Sequence, residues 1–366
     1  MSTLNVNTIN AATSGQAVAV DVKNPRSFRN LITNGAMQVA QRSGTAEITA
    51  ANDTNTFLAD RFKFAENTGG SVALSIQDGT GEFAKSLKLR VTGTDTDVYS
   101  NDRCSVQTIV EDLDVKHLQW GTANAETVTL SFWIKSNAAQ TYCLNVFNAG
   151  TNNRTYIAEY TISSANTWEK KTLTIPGDTT GTWNHIGVRW VLMGGSDKVG
   201  SAGWGAWSGS GGLEMQTSNQ YNWMGATNDI YLTGVQLEVG SYATDFEHRS
   251  YTDELLRCQR YCYVDRGSDD YHAVAQGHYN GTTAGIFMIF TPVAMRAAPT
   301  VSTPTGTWIT SGDAGGLSTS NITGTDNVAE TNAFQVRATV SGAQSGEGFL
   351  FRSSSAGHSF ILDSEL

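Results

Sequence analysis

The sequence predicts an all-β protein: a jelly-roll β-sandwich, then a short helix, then a second, smaller β-sandwich domain. Three observations carry this. Apolar residues recur with period two, most cleanly at Val128, Leu130, Phe132 and Ile134, with Thr129, Ser131, Trp133 and Lys135 in the opposite phase. Such alternation marks strands that bury one face. Only 16% of residues are charged, and Gly (37) far outnumbers Pro (5); Thr, Ser, Asn and Gly fill the polar positions and suit turns and half-buried strands better than helices. Turn residues also punctuate the chain at intervals, as Pro176-Gly177 does after Leu173 and Ile175.

In chain order, residues 1–29 are small and polar and read as an extended arm or linker, or else as a disordered terminus. The first domain spans 30–249. Its strand segments are centred on Arg61–Phe64, Val72–Ile76, Leu87–Val91, an irregular run from Val106 to Val110, Val128–Ile134, Tyr142–Val146, Tyr156–Ile162, Leu173–Ile175, Ile186–Leu192 and Ile230–Val239. About ten strands in a domain of this size suit a jelly roll, in which each sheet buries one face on the other. At Gly234 the apolar phase slips from Ile230 and Leu232 to Val235, Leu237 and Val239, as at a β-bulge. Residues 250–263 form a short helical connector. Ser250 followed three residues later by Asp253 is a helix start; Leu255, Cys258 and Cys262 share a helical face, with Leu256 and Gln259 beside it. A helix this short needs a packing partner, in its own domain or in a neighbouring copy. Residues 264–366 form the second β domain, with strands at Ile286–Phe290, Gln335–Val340, Gly348–Phe351 and Ser359–Leu362.

The formal net charge is −10, and no stretch concentrates Lys and Arg as a nucleic-acid binder requires. The most basic local cluster, Arg257 and Arg260, is flanked by Asp253 and Glu254. Four cysteines are too few for a disulfide framework; Cys258 and Cys262 read as small buried hydrophobes. The opening residues do not have the build of a signal peptide, and no run is long and apolar enough for a membrane helix. The expectation is synthesis in a reducing cytoplasm, with neither nucleic acid nor membrane insertion among the partners.

Residues 194–226 break the alternation with a long Gly/Ser-rich insertion. Long loops inside compact domains are often functional. Trp204, Trp207, Tyr221 and Trp223, beside Asn219, Asn222 and Asp197, offer rings for the C–H faces of a sugar and polar groups for its hydroxyls. The same rings also suit a structural role, pinning the loop to its own domain or to another subunit.

Catalysis has little support. Acidic pairs such as Glu111 and Asp112 are unavoidable among 34 carboxylates. There is no G-x-S-x-G, HExxH or phosphate-cradling glycine loop, and the histidines show no ligand spacing. The protein is expected not to be an enzyme.

The run VQLEVGSYATDFEHRSYTDELLRCQRYC (235–262) resembles the end of the sugar-binding-like β-sandwich of bacteriophage tail-fibre and receptor-binding proteins. LITNGAMQVAQR (31–42), LADRFKF (58–64), VTLSFWIKS (128–136) and MRAAPTV (295–301) resemble the same family, in the same order. The resemblance implies a virion structural protein, made in the host cytoplasm, that adheres to host surface glycans. It implies a homotrimer, with Leu255, Leu256 and Gln259 as an oligomer contact, and docking of residues 1–29 onto another virion protein. It implies that Leu31–Met37 and Val235–Val239 are first and last strands of one sheet. Similarity to carbohydrate-binding modules implies a candidate structural Ca²⁺ site, with Asn34, Asp229 and Glu238 in the matching motifs; no other cofactor is expected. Two alternatives are a capsid-surface, collar or baseplate fibre acting as a scaffold without ligand, and a carbohydrate-active enzyme or its sugar-binding module.

Overall fold

Strict alternation places the heaviest side chains of the first domain between two sheets. In the computed structural model, Val128, Leu130, Phe132 and Ile134 face Val188, Trp190 and Leu192 across one core, all essentially inaccessible. Burying a side chain such as Phe132 contributes about 1.5–3 kcal/mol relative to leaving it exposed. The structure describes residues 29–42, 44, 46–50, 55–150, 154–200, 205, 207–208, 214–267, 272–305, 307–312, 315–324, 332–354 and 358–366. The arm expected over 1–29 lies outside them, apart from Arg29.

The first domain runs through β1 (Ile48–Thr49), β2 (Asn55–Phe57), β3 (Lys63–Asn67), β4 (Ser71–Asp78), β5 (Lys85–Gly93) and β6 (Arg103–Val110). A single helical turn, α1 (Asp112–Val115), leads to β7 (Val128–Ser136), β8 (Thr141–Asn148), β9 (Thr155–Thr161), β10 (Glu169–Ile175) and β11 (Ile186–Gly194). The two-residue β12 (Trp207–Ser208) and the long β13 (Asp229–Val239) close the set. One sheet has the order β1-β4-β5-β13-β7-β10, the other β12-β9-β8-β11-β6-β3-β2. The run after Cys104, expected to be irregular, is a regular strand paired to both β3 and β11. The strand expected at Arg61–Phe64 starts at Lys63, because Arg61 takes a left-handed turn conformation (φ +71°).

The bulge at Gly234 (φ +60°) marks a change of partner. Up to Leu232, β13 pairs with β5; beyond it, residues 30–35 take that side. Leu31 N donates to Leu237 O at 2.9 Å, and Val235 N donates to Gly35 O at 2.9 Å. The Asn30 side chain accepts from Leu237 N and donates to Val235 O. Leu31–Met37 is therefore a turn lying along β13, not the expected first strand. Left-handed Asn34 and Met37 (φ +61° and +56°) prevent a strand there. A Cβ on Gly35 would sit 2.1 Å from Val235 O, so only glycine allows this approach.

Helix α2 (Tyr251–Gln259) starts as expected. Ser250 Oγ accepts from Asp253 N at 3.1 Å and donates to the Asp253 carboxylate at 2.7 Å. The buried face carries Glu254, Cys258 and Gln259. Glu254 accepts from Asn34 N and from Arg249 Nη1, which ties the helix to the first domain. Gln259 is buried within its own chain (8% exposed), which removes it from the expected oligomer contact. Leu256 is only partly exposed and Leu255 half-buried. Cys262 is not helical: the helix stops at Gln259, and Cys262 begins the next strand. All four cysteines are buried and unpaired.

The second domain comprises β14 (Cys262–Gly267), β15 (Ala273–Tyr279), β16 (Ala284–Phe290), β17 (Thr300–Thr305), β18 (Trp308–Gly312), β19 (Gly315–Ser318), β20 (Ser320–Gly324), β21 (Ala333–Thr339), β22 (Gly348–Ser353) and β23 (His358–Asp363). Sheet β14-β23-β17 packs on sheet β19-β18-β22-β15-β16-β21-β20. Their core is aromatic: Phe351 stacks between Phe287 (4.2 Å) and Trp308 (5.0 Å). Charged side chains join the two domains. Arg42 pairs with Asp363 at 2.7 Å, Arg61 pairs with Glu365, and the Arg61 guanidinium lies 3.5 Å over the Tyr261 ring.

Candidate functional site

The outer phase of the seven-stranded sheet of the first domain carries side chains that the core does not use. On β3, β6 and β11 these are Lys63, Gln107 and Arg189, which lie in one cross-strand row because Lys63 pairs with Gln107 and Gln107 with Arg189. Asn145 of β8 continues the row. Ala65, Ser105 and Arg103 lie alongside. Lys63, Ala65, Arg103, Ser105, Gln107 and Arg189, together with Asn55, Lys198 and Met215, line a groove of about 240 Å³, with Asn145 behind Arg189.

Two local devices shape it. Gly187 leaves room for Phe147 to lie flat on the sheet; a Cβ there would sit 2.3 Å from the ring. The Arg189 guanidinium stacks on that ring at 4.2 Å and donates to Gln107 Oε1 at 3.1 Å and Asn145 Oδ1 at 3.3 Å. Its head is thus fixed by neutral groups rather than by a carboxylate. Lys198 arrives from the other side on a short turn. Gly195 N donates to Asp102 O and Asp197 N to Ser100 O, each at 2.9 Å, pinning that turn to the β5–β6 connection. Met215 seals one flank by packing on Cys143, Ile157 and Val191.

The charged side chains that line the groove are of one sign, with Glu365 and Asp197 outside the lining and Lys63 Nζ donating to Leu366 O at 3.4 Å. Lys63, Arg103, Arg189 and Lys198 line the groove, and no described lining residue is a carboxylate. Burial pushes Arg189 down to about 10, and the Arg103 charge pushes the same way. Lys63 is also lowered, by desolvation first and then by Arg189, with Glu365 pulling against it. Lys198 is lowered by desolvation and by Arg103, with Asp197 opposing. Cations crowded so that each disfavours the other's charge are relieved by a bound anion. The volume lies below the roughly 300–1,000 Å³ of a drug-sized pocket, and the amides and hydroxyl of Asn55, Gln107 and Ser105 suit a ligand bearing hydroxyls as well.

This site was not among the sequence-derived candidates. The basic cluster that no stretch of sequence shows is assembled by strand order. The available signal was a cation in the solvent phase of an otherwise apolar strand, as in Arg189 within IGVRWVL.

The aromatic loop is placed elsewhere. Trp204 lies outside the described residues. Trp223 is fully buried in the main core. Trp207 lies on the core side of β12, within 5.3 Å of Trp120, Trp183 and Tyr156, and its Nε1 donates to Pro176 O at 3.0 Å. Tyr221 packs edge-on against Tyr142. Asn222 donates to Asp95 O, Asn219 donates to Glu159, and Asp197 accepts from Ser100. The described rings pin the loop to its own domain and form no common platform, because tryptophan's apolar area is better buried at the edge of the sandwich.

The three residues expected to hold Ca²⁺ do not converge. Asp229 and Glu238 stand at opposite ends of β13, roughly 30 Å apart at the rise of a strand. Asp229 pairs with Lys88 at 3.0 Å. Glu238 accepts from Gln236 Nε2 and from Thr244 N and Oγ1. Asn34 spends its side chain on Val39 and Asp60.

No protein-family model and no curated protein matches the chain. Solved structures do. A family 11 carbohydrate-binding module of a Clostridium thermocellum cellulosomal cellulase matches at 16% identity and TM-score 0.26, over 57% of this chain and 100% of that one. A tandem pair of family 22 modules from Paenibacillus barcinonensis Xyn10C matches at 10% and 0.27, over 89% of this chain and 98% of that one. The enzymatically active domain of tailspike protein 4 of bacteriophage CBA120 matches at 12% and 0.30, over 58% of this chain; the chain spans only 22% of that tailspike. The fold assignment rests on the sheets themselves.

Proposed function

We propose that this protein is a bacteriophage virion component, a tail fibre whose jelly roll adheres to an acidic glycan of the host surface. The observation that carries the ligand class is the set of four cations, Lys63, Arg103, Arg189 and Lys198, in a groove whose described lining has no carboxylate, on a chain of net charge −10. Carboxylates of an acidic sugar would meet the cations, and its hydroxyls the neighbouring amides. The ordered motifs between residues 31 and 301 support the virion role by resemblance. A shallow groove of this size gives weak single contacts, which gain avidity when several copies sit on one particle. The proposed role is adhesion without turnover.

The experiment is retention of the full chain on immobilised oligosaccharides, carboxylated against neutral. Retention on the carboxylated set alone, released by salt, supports the proposal; equal retention on both sets removes the acidic ligand.

A scaffold role has its own support. Met288 and Phe290 of β16 and Leu350 of β22 point out of the second domain, Phe290 being 67% exposed. These side chains share a face with the exposed Gln276 of β15, the cross-strand partner of Leu350, and the proposed homotrimer would use it. Light scattering on wild type and Phe290→Glu tests it: a trimer that becomes a monomer supports the contact, and an unchanged mass sinks it.

A further inference from the structure

We propose that Asp265, His272 and His358 form a binding site for a divalent ion of the zinc class, which clips together the two sheets of the second domain. The three side chains offer ligand atoms that all lie within 4.8 Å of one another. They come from different elements. Gly267 of β14 pairs with His358 of β23, so Asp265, two residues earlier, lies on the same face as His358, one step diagonally away. His272 comes from the other sheet, immediately before β15, where its backbone carbonyl accepts from Ser353 N. The two imidazoles stack at 5.1 Å.

His358 is the independent observation. It is 0% exposed, and neither ring nitrogen has a hydrogen-bond partner. A buried polar group left without a partner is destabilising, and Trp308 beside it supplies no acceptor. Asp265 Oδ1 and His272 Nε2 lie 3.0 Å apart, yet Oδ1 takes no hydrogen bond. Two such atoms facing each other without a hydrogen bond fit two ligands of one ion. Tetrahedral zinc holds its donors at bonds of about 2.0–2.2 Å, so a small side-chain closure completes the set. Two imidazoles and one carboxylate select zinc-class ions over Ca²⁺ or Mg²⁺, which prefer oxygen. His272 is 40% exposed along its side chain, so the fourth position opens to solvent and would take water.

The test uses the full chain, free of affinity tag and stripped with a chelator. Calorimetric titration with Zn²⁺ should show one equivalent bound and a raised melting temperature. His272→Ala, at a half-exposed position, and Asp265→Asn should each weaken binding at least about tenfold, with unchanged metal-free melting. Co²⁺ should give a visible spectrum without a thiolate band. Absence of saturable uptake, uptake that both variants leave intact, or a thiolate band pointing to Cys258 or Cys262 would each overturn the proposal.

Discussion

Arg260 grips Glu111 at two points, Nε to Oε2 at 3.1 Å and Nη2 to Oε1 at 2.8 Å, and the Tyr261 hydroxyl donates to the same carboxylate at 2.8 Å. The contact fastens the end of α2 to the sheet of the first domain. Desolvation alone would raise Glu111, but the hydrogen bonds from Arg260 and Tyr261 and the Arg260 charge outweigh it, and its carboxyl lies below the usual range. A depressed carboxyl stabilises the fold above its unfolded pKa and loses that contribution as pH falls through the folded value. Arg260→Ala should therefore cost about 1–3 kcal/mol at neutral pH. In urea unfolding, its deficit against wild type should shrink in acid.

Asp60 has the opposite sign. Burial pushes its carboxyl up to about 6, although Arg42 and the Gln41 hydrogen bonds pull it down. The folded state binds the proton more tightly than the unfolded chain does. This group's contribution is greatest below about pH 4 and declines as pH rises towards 6. Relative to Asp60→Asn, wild type should lose on the order of 1–3 kcal/mol between pH 4 and pH 7. Paired unfolding curves at the two pH values measure it.

The strands of the first domain were legible because each buries one face locally. Val128–Ile134 shows this, as does the slip at Gly234, where β13 changes partner. The helix start at Ser250 was legible for the same local reason. Leu31–Met37 was not, since its apolar residues serve a turn fixed by Asn30, Asn34 and Gly35 through contacts some 200 residues away in sequence. The groove was illegible because Lys63, Arg103, Arg189 and Lys198 meet only through the strand order β3-β6-β11 and the turn behind β11. The tryptophans of residues 194–226 look alike in sequence whether they face a ligand or a core. Burial decided Trp223, and pairing with β9 decided Trp207.

Gly187 connects packing to the groove. An added methyl would overlap Phe147, whose ring supports the Arg189 guanidinium. Gly187→Ala should cost about 1–3 kcal/mol through overpacking, and it should weaken groove binding in the molecules that remain folded. A melting curve together with an affinity measured well below the melting temperature separates the two effects.

The most direct measurement is a calorimetric titration of the full chain with a short polyuronate, beside its neutral parent sugar of equal length and beside Arg189→Gln. Saturable binding of the polyuronate alone is predicted, weakened by salt and by Arg189→Gln when each protein is measured well below its own melting temperature. No binding of the polyuronate, or binding that the variant and the neutral sugar reproduce, would contradict a basic groove built for an acidic glycan.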